Sequence, residues 1–332
     1  MDSATHPLIA LQEAIFQALK AHMTAEQAAL WVLASVKPTQ GRVAVAPYPN
    51  ISWASALPEG LVVDSDTADN GVIYVTLPYA NSPITPLAFS QYIKQNLVFV
   101  IDEGISTGRE GRIEHLKKIA DNYLKTNRYT SNIYIKHEDL YTLLSQGNAL
   151  CADADVIFHT SELENQPNQA VCVQGADVDA STASGLYHLL STPVGRFAKQ
   201  PDFAPTDWRN PYFRFELALQ RTHLLTALWP TVQSEGAIPL SDNADTRAQK
   251  QLETALMEAP WHLQQLGFKS TPDRLCFYAN KLVSLFHNWY TTNRILVPQD
   301  EEGTKTRLAL VAHVGCVLEE VADILSLRPL TE

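Results

Sequence analysis

The C-terminal part of the chain carries the clearest pattern of apolar positions. Apolar residues recur there at three- and four-residue spacing, which predicts two amphipathic helices. The apolar face of the first helix consists of Leu275, Tyr278, Leu282, Leu285 and Trp289. The apolar face of the second consists of Leu310, Val314, Val317, Val321 and Ile324.

Start and stop signals bound both of these helices. Thr271 is a good N-cap for the first, and Pro272 suits its first position because that residue needs no N–H partner. Thr304 is the predicted cap of the second helix, and Pro329 ends it. Between the two helices we expect a turn at residues 300–303 that folds one back on the other.

The N-terminal part predicts two helices followed by a small sheet. Residues 7–36 have helical periodicity, and Thr24 with Gln27 forms the pattern of a capping box. The pair Asn70-Gly71 lies between apolar runs and predicts a hairpin. The predicted strands cover residues 42–46, 60–64 and 71–77. A further helix is predicted at residues 83–97.

Strand-like and helix-like runs alternate in the middle of the chain, which predicts a small parallel or mixed α/β layer. The strands are predicted at residues 96–103, 131–136, 154–160 and 168–175. The helices are predicted at residues 109–126, 137–145 and 176–197. A proline-rich bridge follows. Asn210 then caps a long helix that begins at Pro211, and another helix is predicted at residues 248–260.

These elements predict an α+β, multidomain protein in which an N-terminal α/β region precedes an all-α helical bundle. We expect N-terminal helices and a small sheet in residues 1–97. A small α/β segment follows in residues 98–183, and the all-α domain occupies residues 184–332.

The charge of the chain narrows the classes of partner. There are 25 Lys and Arg residues against 36 Asp and Glu residues, which gives a net charge of −11 at pH 7. The net charge is −3 from Thr206 onward and −8 before it. This balance argues against a broad electrostatic grip on nucleic acid, although a local basic face can exist in the C-terminal part.

Cysteine usage and hydropathy point to a soluble chain in a reducing cytosol, so we expect a cytoplasmic protein without a membrane segment. The four cysteines lie far apart, which does not suit a zinc site. They are Cys151, Cys172, Cys276 and Cys316. Cys276 and Cys316 fall on the C-terminal helices and are predicted to be buried. The first 22 residues predict an amphipathic helix and not a signal peptide.

Few residues suggest catalysis or a cofactor. The glycine-containing loop at residues 102–111 follows a strand and precedes a helix, as a phosphate loop would, but its glycine spacing matches neither common phosphate motif. We favour an ordinary loop there over an anion site. The run from His137 to Asp139 is interpreted as a helix start and not as a metal cluster. We therefore expect no catalytic residue, no cofactor and no metal.

The two C-terminal helices resemble the DALR anticodon-binding domain of arginyl-tRNA synthetases. The residues that carry the resemblance are Pro272, Arg274-Leu275, Tyr278, Phe286, Trp289-Tyr290, Arg294-Ile295-Leu296, Arg307-Leu308-Ala309-Leu310, Val317-Leu318 and Pro329. A second block resembles the start of that domain through Asn210, Pro211, Phe213, Phe215, Ala218 and Arg221. The chain departs from the family pattern at His313-Val314, where the family has an Arg, and at Glu320-Val321, where it has Gly-Leu.

The resemblance implies a tRNA-recognition fold, but neither ATP-handling motif of a class I synthetase is present. Residues 313–316 look faintly like the His-x-Gly-His motif, yet they lie within a predicted helix. Residues 267–271 look faintly like the Lys-Met-Ser-Lys-Ser loop, yet they are predicted to be only the turn before Pro272. We therefore do not expect aminoacylation by this chain alone, and residues 98–183 are a remnant of the catalytic fold or its replacement in this hypothesis.

Aromatic rings that stack on unpaired bases and cations near phosphates are the features expected of an anticodon-binding site. The candidate RNA-binding residues are Tyr212, Arg214, Arg221, Arg274, Tyr278, Trp289, Tyr290, Arg294 and Arg307. The spacing of Tyr278 and Trp289 also suits core packing. The arginines could equally be surface ion-pair partners.

Three functions remain open from the sequence. The first is a non-catalytic relative of arginyl-tRNA synthetase, a pseudo-synthetase that binds tRNA, for instance an arginine-type tRNA. The second is a scaffold that binds a protein such as a tRNA-modifying enzyme, which the acidic charge favours. The third is an enzyme: either a truncated arginine–tRNA ligase, which would retain arginyl-tRNA aminoacylation, or an unrelated activity in residues 97–175.

Overall fold

The computed structural model describes most of the predicted elements. The described residues are 6–39, 41–49, 51–57, 62–64, 71–79, 95–102, 107–127, 130–137, 156–159, 170–174, 176–227, 247–269, 272–297 and 300–327. Within them the helices are α1 (Pro7–Leu19), α2 (Ala25–Ser35), α3 (Trp53–Ala56), α4 (Thr107–Asn127), α5 (Ala183–Ser191), α6 (Pro211–Ala227), α7 (Arg247–Lys269), α8 (Pro272–Thr292) and α9 (Glu301–Ile324).

The described strands form two small sheets and a short ribbon. Strands β1 (Val36–Thr39), β2 (Arg42–Val45), β3 (Val62–Asp64) and β4 (Ile73–Thr76) make an antiparallel sheet in the order β1-β2-β4-β3. Strands β5 (Gln95–Asp102), β6 (Thr130–His137), β7 (Val156–His159) and β8 (Ala170–Cys172) make a parallel sheet in the order β6-β5-β7-β8. Strands β9 (Ala176–Asp177) and β10 (Ala198–Lys199) pair in parallel.

The chain divides into two compact units. Unit 1 comprises Met1–Ile93, Phe215–Gln264 and Asn280–Glu319, and it contains the antiparallel sheet. Unit 2 comprises Lys94–Arg214, Gln265–Ala279 and Glu320–Glu332, and it contains the parallel sheet. The fold-class prediction is confirmed, because the described residues from Pro211 onward are helical apart from short connections, while strands occur only before them.

Each unit has a core built from the apolar faces that the sequence predicts. In unit 1 the faces of α1, α8 and α9 are buried, including Leu11, Leu282 and Val317. In unit 2 one side of α4 packs against the parallel sheet. Arg112, also on α4, is a buried cation. The apolar residues of that cluster are Ile113, Leu116, Ala120, Phe158, Val173 and Val194.

Local capping chemistry explains where two of the helices begin. The hydroxyl of Thr24 accepts a hydrogen bond from the backbone N–H of Gln27 at 3.3 Å, and the Gln27 side chain accepts one from the N–H of Thr24 at 3.2 Å. This reciprocal pair is the predicted capping box. At α6 the Asn210 side-chain oxygen accepts from the N–H of Tyr212 at 3.0 Å, and Pro211 takes the first helical position as predicted.

The start of α9 differs from the prediction. The residue before the helix is Asp300 and not Thr304. The Asp300 carboxylate accepts a hydrogen bond from the Gly303 N–H at 2.9 Å, so Asp300 caps the helix. Residues 301–303 of the predicted turn at 300–303 are therefore the first turn of α9. The Thr304 hydroxyl instead donates to the carbonyl of Val297 and accepts from its N–H, both at 3.1 Å.

Three predicted helices have different bounds. The predicted helix at 176–197 is confined to α5, because residues 192–197 form a loop and β10 follows. Helix α7 continues through Pro260 to Lys269, since the buried Leu263 extends its apolar face, so Gly267 lies in a helix and not in a turn. Residues 95–97 of the predicted helix at 83–97 belong to β5, and its remainder lies outside the described residues.

Cys276 is buried as predicted, whereas Cys316 is exposed. Cys316 lies off the stripe formed by Val314, Val317 and Val321, so α9 turns it towards solvent. Several predictions concern residues outside the described ones. These are Thr271 as a cap, Pro329 as a stop, Asn70 in a hairpin, residues 103–106 of the glycine-containing loop, Cys151, and residues 138–145 of a helix.

Candidate nucleic-acid interface

Three of the candidate aromatic residues are core residues. Tyr278 and Trp289 are fully buried on α8, and Tyr212 is buried at the start of α6. In unit 2 the Tyr212 ring packs against the ring of Tyr187 with centroids 6.0 Å apart. A base needs an open aromatic face to stack on, and these rings have none.

Arg221 and Tyr290 form a compact cluster with His287 in unit 1. The Arg221 guanidinium lies 4.6 Å from the centroid of the Tyr290 ring, and its Nη1 donates to His287 Nδ1 at 2.8 Å. Because a guanidinium can only donate, His287 Nδ1 accepts and its imidazole is neutral. The cation therefore occupies one face of Tyr290.

Arg307 forms hydrogen bonds with the segment that connects α8 and α9. Its Nε donates to the carbonyl of Ile295 at 3.0 Å, and its Nη2 lies 3.0 Å from a carboxylate oxygen of Asp300. The N–H of Gly303 and this guanidinium together hold the pKa of Asp300 below its ordinary value. These contacts support a structural role for Arg307 at the entrance to α9.

The remaining candidates are arginines in different settings. Arg214 is half-buried in unit 2, where its charge lowers the pKa of Tyr187, although burial raises that pKa more strongly. Arg274 is exposed on the solvent face of the part of α8 that belongs to unit 2. Arg294 is exposed just beyond the end of α8, in unit 1. Neither guanidinium makes a hydrogen bond or ion pair within the described part of the chain. Both can therefore meet a phosphate.

Three exposed aromatic residues were not among the candidates. They are Phe197, Trp208 and Phe277, which are 50%, 52% and 74% exposed. A signal for Phe277 exists in the sequence. It lies outside the apolar stripe of α8 and one helical turn after Arg274, so helical periodicity places both on the polar face. Phe197 and Trp208 flank the proline-rich bridge, which gives no such periodic signal.

Two other kinds of feature, a metal cluster and a membrane-spanning helix, are absent from the described residues. No group of three or more His, Cys, Asp and Glu side chains there is placed to hold a metal ion. None of the described helices combines the length and the apolar composition that a membrane crossing requires.

Residues 230–332 match the family described as the DALR anticodon binding domain. Helices α7, α8 and α9 all lie within the match. The resemblance of the two C-terminal helices to this domain is therefore confirmed, while the block from Asn210 to Arg221 precedes the matched residues.

The curated relatives are similar to this chain over about a third of its length. The arginine–tRNA ligase of Geobacter sp. (strain M21) is 25% identical over 123 residues, which are 36% of this chain and 22% of the relative. The arginine–tRNA ligase of Geobacillus thermodenitrificans (strain NG80-2) is 30% identical over 118 residues, which are 35% of this chain and 21% of the relative. The match thus spans about a fifth of the length of these relatives.

Solved structures are similar over a larger share of the chain. A structure from Campylobacter jejuni assigned as an arginyl-tRNA synthetase has a TM-score of 0.46 and 12% identity, covering 94% of this chain and 62% of that one. The arginyl-tRNA synthetase of Thermus thermophilus has a TM-score of 0.39 and 14% identity, covering 95% of this chain and 57% of that one.

Proposed function

We propose that this chain, whose residues 230–332 belong to the DALR anticodon-binding domain family, binds tRNA through its C-terminal helices and does not itself aminoacylate it. The family match over α7, α8 and α9 is the observation that carries the proposal. Because the curated relatives are arginine–tRNA ligases, an arginine-type tRNA is the first ligand to test.

Exposed arginines supply the phosphate contacts in this proposal. Arg274 and Arg294 present unpaired guanidinium groups within the described residues, and each can neutralise one phosphate. The buried Tyr212, Tyr278 and Trp289 are assigned to the core that holds these helices in place.

The sequence supports the non-catalytic part of the proposal. Neither ATP-handling motif is present, and residues 313–316, which resemble one of them faintly, lie inside α9. His313 there is buried, and its Nδ1 lies 2.7 Å from the Tyr79 hydroxyl, so it is engaged in packing contacts. An arginine-dependent ATP–pyrophosphate exchange assay, with and without tRNA, tests this part. We expect no exchange, and measurable exchange would restore the ligase function.

Binding can be measured by fluorescence anisotropy of labelled tRNA with the full chain. We expect an arginine-type transcript to bind more tightly than an unrelated double-stranded RNA, and affinity to fall between about 50 and 200 mM salt. Arg294→Gln should weaken binding and reduce the salt slope by about 1. Arg209→Gln is the matched control, because Asp207 already neutralises Arg209. Equal binding of both RNAs without salt dependence would contradict the proposal.

The acidic composition favours a second candidate function, a scaffold for a protein partner. A net charge of −11 opposes the long-range attraction of RNA but not the docking of a protein. Affinity purification of the full chain separates the two functions. Recovery of a stoichiometric protein without tRNA would favour the scaffold, whereas co-purification of tRNA would favour the first proposal.

A further inference from the structure

Exposed aromatic residues in unit 2 occur beside arginines. Phe197 follows Arg196, Trp208 precedes Arg209, and Phe277 lies three residues after Arg274. By contrast, the exposed large apolar residues in the described part of unit 1 are the aliphatic Leu224 and Leu296. An open aromatic ring next to a cation is the combination that holds single-stranded nucleic acid.

The three pairs differ in whether the arginine charge is already neutralised. Arg209 is bound by Asp207, with its Nη2 2.7 Å from the carboxylate. This contact, with a second one through Nε, raises the pKa of Arg209. The charge of Arg209 is therefore already neutralised by Asp207. The side chains of Arg196 and Arg274 are exposed and make no hydrogen bond or ion pair within the described residues.

The nearest acidic neighbour of Arg274 along the chain is Asp273. Asp273 acts on the buried Arg112, where its negative charge raises the guanidinium pKa against the larger, opposing effect of burial. Asp273 makes no ion pair with Arg274 among the described residues. The exposed Arg274 keeps its charge for a ligand.

Arg112 also brings the other uncompensated pair to the same region. Its Nη1 donates to the backbone carbonyl of Arg196 at 2.7 Å, and its Nη2 donates to that of Leu189 on α5 at 3.5 Å. The hydroxyl of Tyr187, also on α5, donates to the backbone carbonyl of Cys276 on α8 at 3.2 Å. The Arg196-Phe197 pair and the Arg274–Phe277 pair thus both adjoin the part of unit 2 that surrounds Arg112. Both pairs therefore lie on segments that adjoin α5 and its C-terminal end.

We propose that Arg196, Phe197, Arg274 and Phe277 form a surface that binds an unpaired segment of tRNA, with the two phenyl rings stacking on bases and the two guanidinium groups contacting phosphates. This inference rests on the proposed tRNA-binding function and names a surface for it. Two of its four residues lie before the segment that matches the anticodon-binding family.

Stacking and not net charge supplies most of the affinity at this surface. Two phosphate contacts to a single strand give a salt slope of only about −1.4. Each stacked base is worth about a 5- to 150-fold change in affinity when its ring is removed. The acidic chain therefore binds RNA through short-range contacts, and its affinity depends weakly on salt compared with a basic RNA-binding protein.

Anisotropy titrations of the full chain test this surface with two probes, an arginine-type tRNA transcript and its isolated anticodon stem-loop. We expect Phe277→Ala and Phe197→Ala each to weaken binding about 5- to 150-fold, and Phe277→Tyr to retain it. Arg274→Gln should lower the salt slope by about 0.7. Leu224→Ala, which removes an apolar side chain that is 67% exposed, is the matched control and should leave affinity unchanged.

The outcomes separate this inference from the proposed function. If both Phe→Ala variants bind tRNA with the wild-type affinity, the proposed surface is wrong, while the proposed tRNA binding by the chain still stands. No binding by the wild-type chain overturns both. A circular dichroism melt of each variant shows whether it is folded, and Phe277→Tyr must restore affinity if stacking is the cause. Loss of a protein partner, with tRNA affinity unchanged in the same variants, would instead assign the surface to a scaffold.

Discussion

Arg112 joins several backbone segments of unit 2 through its hydrogen bonds. It is only 2% exposed, and its guanidinium donates to backbone carbonyls. The carbonyls belong to Gln174, Leu189, Thr192, Pro193 and Arg196. Burial lowers the pKa of Arg112 to about 10, which leaves it charged at neutral pH. One cation thus supplies hydrogen-bond donors to carbonyls in the last turn of α5 and in the loops beside it.

We expect Arg112→Met to destabilise the protein by about 3 kcal/mol or more, because several buried carbonyls would lose their donor. The stability of Arg112→Lys should lie between those of the wild type and Arg112→Met. An ammonium keeps the charge, but it has three donors and no planar fork. Urea unfolding followed by circular dichroism measures both. Arg109→Met, on the same helix but only partly buried, is the control, and an Arg112→Met loss no larger than that of Arg109→Met would contradict this role.

Gly185 is a position where a side chain cannot be accommodated. Its N–H donates to the Thr182 hydroxyl at 3.1 Å at the start of α5, and an added Cβ would collide with the backbone carbonyl of Asp179. We expect Gly185→Ala to cost about 1–3 kcal/mol.

Gly111, within α4, provides the opposite case. No atom lies within 4 Å of an added Cβ there, so Gly111→Ala should stabilise the protein by about 0.5–1 kcal/mol through helix propensity. Thermal melts of the two variants should shift in opposite directions. Stabilisation of both variants would show that backbone entropy, and not crowding, controls Gly185.

At the scale of elements, the connection between α8 and α9 shows why a cap was misplaced. Asp300 and Thr304 both suit an N-cap, and only the tertiary contacts of Thr304 with Val297 distinguish them. If Thr304 is an interior anchor, Thr304→Val should cost about 1–3 kcal/mol by leaving both Val297 groups unpaired. Thr304→Asp, a good cap substitution, should be worse, because it buries a carboxylate. Chemical denaturation checks this order, and tolerance of Asp would contradict it.

The sequence predicted elements best where the signals were local. The Thr24–Gln27 capping box and the Asn210-Pro211 helix start each need only neighbouring residues, and both are confirmed. Helix α7 ran past Pro260 because burial of its apolar face offsets the lost hydrogen bond, which is a tertiary effect.

The same limit applies to the candidate site. Periodicity identifies Tyr278 as a stripe residue, but it does not show which arginines are already engaged. Arg307 and Arg221 have partners that come from other parts of the chain, such as Ile295 and His287. Residue type and spacing therefore identified the helices that carry the candidates, while the contacts of each side chain required the structure.

At the scale of the molecule, two buried histidines make unit 1 sensitive to acid. His6 caps α1, with its Nδ1 accepting from the Leu8 N–H at 3.2 Å, and His313 on α9 meets the Tyr79 hydroxyl at 2.7 Å. The Nε2 atoms of both imidazoles have no hydrogen-bond partner among the described residues. Burial lowers the pKa of His6 to about 3, with a further effect of His313, and burial lowers that of His313 to about 4.

Because both folded-state pKa values are lowered, the unfolded chain binds these protons first. Their contribution to stability is fully present above pH 6.5, the ordinary histidine value, and is lost as pH falls towards about 4 for His313 and about 3 for His6. At pH 5 the loss is about 2 kcal/mol per histidine. The charge of Glu253 acts on Tyr79, and burial raises the pKa of the Glu253 carboxyl.

Urea midpoints measured between pH 7 and pH 5 test this prediction. We expect His313→Gln to remove about half of the histidine-dependent acid sensitivity, since an amide can still accept from the Tyr79 hydroxyl. His22→Gln, at an exposed position, is the control and should leave the pH profile unchanged. A wild-type profile that matches His313→Gln throughout would rule out this histidine as a cause.

The buried amide pair in unit 1 has a consequence for how the protein is made. Gln12 and Gln264 each donate to the other's carbonyl, at 2.8 and 3.1 Å, across 252 residues of chain. On the ribosome, the apolar face of α1 therefore emerges long before α7 exists to cover it. Folding of unit 1 must wait for late segments, as expected for contacts of high sequence separation. The nascent N-terminal helices are thus a natural client for chaperones, and release of a truncated chain would leave them exposed.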